Sequence, residues 1–522
     1  MKRIIKAALF IITCTSVGLT LNSCNDALDI DQPGQLDETR LFTSVSNMND
    51  FLLGSVYSNL DTNNEIYLTA VLTDEVKPGS GSGGQEFQLH RYFIDPSEGL
   101  TTGIWGNYYL VINRVNRLLS GASKITPTST AEQTQYNNII AQARAIRAFC
   151  YVQLEALFST DMKNPSALGV ILLQDIPLTD AKLPRSSNQE VFDFINSDLD
   201  FARNTLSYNS SASARYYVDR GFVNAVSARF NLYRGNTTLA KQYAQNVVTN
   251  SGLSLTVANP IVTTSAPVIG TAAWNSAFYN VASSFNPYRN LWNDSDRGEI
   301  IFALNRLPTG VGSSIGTRWN TNQSTVTGVP MWFLGRNLFN IINNTSGDVR
   351  RYAYIDPTSI IDPNYATSTS PINTDKLVID KYPGKTSTPV RNDLKLFRLS
   401  EMYFILAECE VANNNLTGAQ ALIQQVRVAR NYNGTAVTPV YASAQSAYAD
   451  ILKERRVELA LEGHRYIDLK RLAVQAGVSM DRNPTDDIVN VTNLPNGSYK
   501  YTLPIPLSET SANPNAQQNP GY

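Results

Sequence analysis

Two kinds of residue in this 522-residue chain are typed and spaced for chemistry: aromatic rings beside amides and guanidinium groups, and carboxylates. The rings come in short clusters. Residues 274–280 carry Trp274 and Tyr279 among asparagines. Residues 286–293 carry Tyr288, Arg289 and Trp292, again flanked by asparagines. Arg318, Trp319 and Asn320 set an indole between a guanidinium and an amide. Arg91 and Tyr92 close a Gln-Leu-His run that follows a Gly-rich loop. An amphipathic ring accepts a flat C–H face while neighbouring polar groups take hydroxyls, the combination a saccharide needs. Core packing competes for each ring. Trp105 leads into a helix, and Trp292 stands before the strand-like residues 299–304, so both also read as core.

The residues expected for bond-making chemistry are missing. The only two histidines are His90 and His464, and neither has a second histidine at zinc-ligand spacing. No nucleophile elbow, P-loop or dinucleotide fingerprint is present, so no catalytic residue is assigned. Glu454, Glu458 and Glu462 interleave with arginines, where ion pairing is the default. Residues 294–299 share the first acidic positions of a calcium loop but lack the remaining ligands, so no cofactor or metal is expected. The formal net charge of −1 gives no reason to expect nucleic acid.

The elements that must hold these groups are mainly helical. Apolar residues recur at helical steps along Tyr108, Ile112, Val115 and Leu119, and along Ile139, Ala143, Ile146, Cys150, Leu154 and Leu157. Met48, Leu52, Val56 and Leu60 suggest an earlier helix. Four helical pairs follow: 139–158 with 190–206, 219–234 with 237–249, 399–412 with 417–430, and 448–462 with 464–472. Their size is that of tetratricopeptide hairpins, and each has an apolar face that only a neighbour can cover. In the last pair Arg455 with Glu458, and Glu462 with Arg465, are three apart and can meet on a helix surface, and Gly463 ends the run. Residues 77–84 read as a flexible loop. Residues 250–395 lose the period and hold four of the five tryptophans. The expected fold is therefore mainly α, a tetratricopeptide-like helical-hairpin scaffold with a large irregular loop-rich insertion and little β. Its divisions are 46–250, 251–398 and 399–522.

The chain begins with a targeting segment. Lys2, Arg3 and Lys6 precede an apolar stretch, Ala7 to Leu21, and Leu21-Asn22-Ser23-Cys24 matches a lipobox. Residues 1–23 are then a cleaved lipoprotein signal, Cys24 the lipidated residue, and 24–45 a tether. More than one acyl chain gives stable anchoring. Cys150 and Cys409 lie on amphipathic helices, where burial as small apolar residues and pairing in a disulfide are both open.

The order of residues from Glu454 to Leu472, ER, EL, EG, then R and DL, resembles the C-terminal signature of the SusD/RagB family of outer-membrane nutrient-binding lipoproteins. Arg144 to Tyr151, Asp175-Ile176-Pro177-Leu178, Asp348-Val349-Arg350 and the tail from Leu503 to Tyr522 resemble that family too. One departure is the stretch Ser159-Thr160-Asp161, where the family often has Gly-Asp. The resemblance implies a protein lipid-anchored in the outer membrane and facing the exterior. It would capture oligosaccharide for a SusC-like TonB-dependent transporter. Relatives that take up peptides, and a surface glycoside hydrolase, are the alternatives.

Overall fold

A computed structural model describes residues 41–178, 180–258, 273, 287–319, 330–385, 388–487 and 493–522. The proposed signal, lipobox and Cys24 lie outside the described residues, as do Trp274, Tyr279 and Asn320.

Along the chain run α1 (Val45–Phe51), α2 (Asn63–Val71), β1 (Val76–Pro78), α3 (Gly99–Ala122), α4 (Thr130–Phe158), α5 (Asn188–Thr205), α6 (Arg220–Tyr233), α7 (Thr237–Asn250), β2 (Ile300–Leu304), β3 (Trp332–Leu334), β4 (Leu394–Arg398), α8 (Leu399–Ala412), α9 (Leu416–Ala429), α10 (Ala444–Glu458) and α11 (Arg465–Ala476). The four expected pairs are present as α4–α5, α6–α7, α8–α9 and α10–α11. They stack in succession, α5 on α6, α7 on α8 and α8 on α10. The fold is mostly helical, as the periodicity requires. Among the described residues no helix is long and apolar enough to cross a membrane.

Local chemistry sets the helix ends. Ser129 caps α4 by accepting from the Glu132 amide at 3.1 Å. Ser187 and Glu190 form a reciprocal capping box at α5, and each satisfies an otherwise orphaned amide. Gly235, at φ +79°, allows the tight return from α6 to α7. The stripe Ile139, Ala143, Ile146, Cys150, Leu154 and Leu157 is fully buried, each large side chain contributing about 1.5–3 kcal/mol. Cys150 and Cys409 are separate buried thiols, not a disulfide.

Strands are few and paired in twos: β1 with β3, and β2 with β4, both antiparallel. The second pair carries Glu299 and Arg398 into the centre of the molecule. There the charges of the C-terminal helices are found buried, not on a helix surface. Glu458 accepts from Arg398 and Arg430, each at 2.7 Å, and from Arg350 at 3.2 Å. Glu299 accepts from Arg398 at 2.7 Å and Arg430 at 2.8 Å. Arg350 also holds Asp348 and Glu454, each at 2.7 Å. The helical i,i+3 pairs give way to partners far along the chain. Arg455 pairs with Asp468 at 2.7 Å, Glu462 with Arg398 and Lys381 at 2.7 Å, and Arg465 with Asp74 at 2.8 Å. Burial explains the change, because a desolvated charge needs several close donors and one helical neighbour cannot supply them. α10 itself stops at Glu458, ahead of Gly463, and Leu461 takes a left-handed φ of +60°. That bend directs its amide to Glu75 at 2.9 Å and its carbonyl to the Tyr382 hydroxyl at 2.8 Å.

Candidate functional site

Two of the sequence-selected clusters converge on one corner of the scaffold. Its framework is the pairing of β1 with β3. Beyond β1 the Gly79 amide donates to the Met331 carbonyl at 2.7 Å, and Gly81 donates to Pro330 at 3.1 Å. A Cβ at Gly79 would lie 2.2 Å from the Pro330 oxygen, so only glycine permits this approach. The first part of the expected flexible loop, 77–84, is thus strand and strand-edge backbone. Its Lys77 is buried against Asp375 at 2.5 Å. Ordering comes from backbone donors that have nowhere else to go.

The chain then turns at Glu86, whose φ of +59° is unusual for a non-glycine residue, into the short helix Phe87–His90. Tyr67, on α2, joins this turn to the later cluster. Its hydroxyl hydrogen-bonds Glu86 and accepts from the Trp332 indole at 2.7 Å. Its ring lies 5.5 Å from that of Trp319 and carries the Arg318 guanidinium 4.5 Å above it. Arg318 in turn donates to Asn63 at 3.0 Å and Asn64 at 2.9 Å. Burial pushes the Tyr67 hydroxyl well above its ordinary pKa, with the Glu86 carboxylate adding to the effect, so it stays protonated. Trp319 is 1% exposed, and its indole N–H has no hydrogen-bond partner among the described residues. At the surface of the corner stand Asn64, Glu86, Phe87 and Arg318, half-buried, with Gln85 and Gln88 exposed. The corner therefore offers a partly open ring, a guanidinium, two kinds of amide and a carboxylate within one patch, and one indole donor unspent beneath it.

The other candidates are placed differently. Arg91 flanks the corner, 5.3 Å from the Phe87 ring, and is held by a two-point contact to Asp487 at 2.8 and 2.9 Å. Tyr92 turns inward, its hydroxyl 2.9 Å from the Met480 sulfur and its ring 4.6 Å from Arg482. Tyr288, Arg289 and Trp292 do not form an exposed platform. They are buried against the ion-pair centre. Arg430 lies 4.7 Å from the Tyr288 ring, Lys381 4.2 Å from the Trp292 ring, and Arg289 pairs with Asp380 at 2.6 Å. The face of each ring is thus used on the protein's own cations. The sequence marked Trp292 as readable as core from its place before residues 299–304, but carried no such sign for Tyr288 or Arg289.

Tyr67, Asn63, Asn64, Glu86, Phe87 and Trp332 were not anticipated. Only the Asn-Asn pair opening α2, three residues before a tyrosine, marks them in the sequence. Two of the three calcium-loop carboxylates have protein partners: Asp294 holds Lys395 at 2.6 Å, and Glu299 holds two arginines, while Asp296 is exposed. Both histidines are buried, and that burial drives each well below its ordinary pKa, leaving neutral rings. His90 contacts the Val71 carbonyl through Nδ1 at 2.8 Å.

Known proteins match this chain over nearly its whole length. The sequence model of the SusD family matches residues 311–522, and a second one, described as starch-binding associating with outer membrane, matches residues 26–232. SusD-like protein P2 of Formosa agariphila is 22% identical over 97% of this chain and 98% of its own. A SusD-like protein of Bacteroides ovatus is 29% identical over a shorter stretch, 30% of this chain and 28% of that one. Among solved structures, a SusD superfamily protein of Bacteroides thetaiotaomicron superposes with a TM-score of 0.71 at 22% identity, covering 92% of this chain and all of the other. A SusD-like carbohydrate binding protein of Bacteroides vulgatus gives 0.68 at 19% identity over 91% and 98%. With two family matches that together cover most of its length, the chain belongs to the SusD/RagB family.

Proposed function

We propose that the protein is a cell-surface lipoprotein that captures oligosaccharide and delivers it to a SusC-like TonB-dependent transporter of the outer membrane. The observation that carries the ligand class is the convergence of Arg318 and Trp319 with the Glu86–Phe87 turn around Tyr67. Phe87 supplies an apolar edge for a sugar face. Arg318, Asn64 and Glu86 supply donors and acceptors for hydroxyls. Two relatives support the reading by description, one model as starch-binding and one structure as carbohydrate binding. Capture and release need no bond made or broken, so no residue is given a catalytic role. Lipidation at Cys24 would hold the protein over its transporter.

Calorimetric titration of the chain from residue 25 against panels of oligosaccharides and peptides tests this. One glycan class should give saturable heat. Arg318→Ala and Asn64→Ala, at partly exposed positions, should each weaken it about tenfold, the worth of one charged or well-placed hydrogen bond. Trp319→Ala, which removes the buried ring packed against Tyr67 beneath the patch, should weaken it further. Heat with peptides alone, or glycan binding indifferent to all three substitutions, would defeat the proposal.

A further inference from the structure

The stretch Ser159-Thr160-Asp161, where this chain departs from the pattern of its family, borders a separate cavity of about 320 Å³ on the far side of α4. Its walls include Asp161, Lys163, Tyr233, Ile467, Lys470 and Arg471. Three cations and one carboxylate thus face one space. Arg471 is already neutralised, because it and Arg455 share Glu408 and Asp468, with Arg471 contacts of 2.5 and 2.7 Å. The lysines are not. Among the described residues neither Lys163 nor Lys470 has a carboxylate within ion-pair distance. Lys470 Nζ donates instead to the carbonyls of Ala156 at 3.2 Å and Ser159 at 2.7 Å, at the C-terminal end of α4. Lys163 Nζ donates to the Arg471 carbonyl at 3.3 Å. An ammonium has three N–H donors, so each lysine retains donors for the cavity. Tyr233 adds a hydroxyl with no hydrogen-bond partner among the described residues, its ring 5.7 Å from the Arg471 guanidinium. Asp161 is the one carboxylate lining the cavity and is exposed, while Glu408, which also acts on Lys163, is already paired with Arg471.

The buried carboxylate behind this wall does not restore the balance. Burial pushes Glu155 up to about 8, so it is largely protonated at neutral pH. Burial also brings Lys470 down to about 8, the response of a cation short of counter-charge.

We infer that this cavity is a binding site for a small oxyanion, a carboxylate or a sulfate group, taken between Lys163 and Lys470 with the Tyr233 hydroxyl as a further donor. The group could be free or carried on a saccharide, and the site is independent of the aromatic corner.

The test uses the whole chain from residue 25 at constant ionic strength set with chloride. Sodium sulfate, sodium glucuronate and neutral glucose are titrated by calorimetry, with thermal unfolding in parallel. Saturable binding of sulfate or glucuronate, absent for glucose, is expected. Lys163→Gln should weaken it several-fold and Lys470→Met about tenfold, as losses of charged donors do. Glucuronate binding above sulfate would assign the site to an acidic sugar, and equal binding to any small oxyanion. Lys470 also caps α4, so its variant could lose stability. Exposed Lys163 carries no such burden. Oxyanion binding unchanged in Lys163→Gln, or no binding in the parent chain, would overturn the inference.

Discussion

Glu458 shows how a residue that reads as surface charge becomes structural. Burial would raise its carboxyl, yet Arg430 and Arg398 hold it well below the usual carboxylate range. Removing one member of such a buried set leaves the other charges uncompensated. Glu458→Gln is expected to cost about 3–5 kcal/mol, read as a lower midpoint in urea unfolding. At the proposed binding corner, Gly316 precedes Arg318 and Trp319. A Cβ there would meet the backbone oxygens of Tyr382 and Val390 at 2.5 and 2.6 Å. Gly316→Ala should displace the Ile315–Arg318 turn, lower stability by about 1–3 kcal/mol and weaken glycan binding together with it. Normal affinity in a destabilised Gly316→Ala protein would separate the turn from the site.

At the scale of the element, the paired helices take their boundaries from short-range chemistry. The α5 capping box is the clearest case, since Ser187 and Glu190 each satisfy an amide the helix leaves open. Ser187→Ala should cost about 1 kcal/mol without altering ligand binding, measured by thermal unfolding and by titration with the same glycan. The strands behave differently. β1 and β3 are three residues each, too short to stand alone, and they persist because Gly79, Gly81 and the following turn are tied to residues 330–331. That is why a stretch composed like a flexible linker is ordered, and why it can support the Glu86 turn.

For the molecule as a whole, stability should peak in mildly acid solution. Burial lifts Glu65 and Glu75 to about 7 each. The folded chain therefore holds protons that the unfolded chain has released between about pH 4.5 and 7, and the contribution of these two groups declines as pH rises through that interval. His90 and His464, kept neutral by burial, oppose them below about pH 6.5, where the unfolded chain gains protons that the folded rings do not. Asp74 and Asp468 are held the other way from the glutamates: burial opposes ionisation, but Arg456 and Arg465 on one, and Arg455 and Arg471 on the other, keep their carboxyls below the ordinary range. Their contribution is present above the unfolded value and disappears as the pH falls below about 4. Urea midpoints should rise from pH 3 to about 5, stay nearly level to about pH 6.5 and then fall slightly. A midpoint still climbing from pH 6.5 to 8 would contradict the assignment of Glu65 and Glu75.

What the sequence determined by itself was periodic or local. Ile139 to Leu157 repeats at helical steps, and the order of residues from Glu454 to Leu472 carries the family likeness. Each of these is written within a few turns of chain. Tertiary structure alone decided what each ring packs against. Trp292 and Trp319 are both buried, each with an indole N–H that has no partner among the described residues, but the first lies against Lys381 and the second beside Tyr67, more than 250 residues away in the chain and next to the half-buried Arg318. The same holds for charge. Arg455 and Glu458 are adjacent on one helix face by spacing, and burial sends them to Asp468 and to three arginines brought from elsewhere. A short-range pattern is sufficient to form a helix, whereas satisfying a buried charge or stacking a cation on a ring depends on partners that only the folded chain assembles.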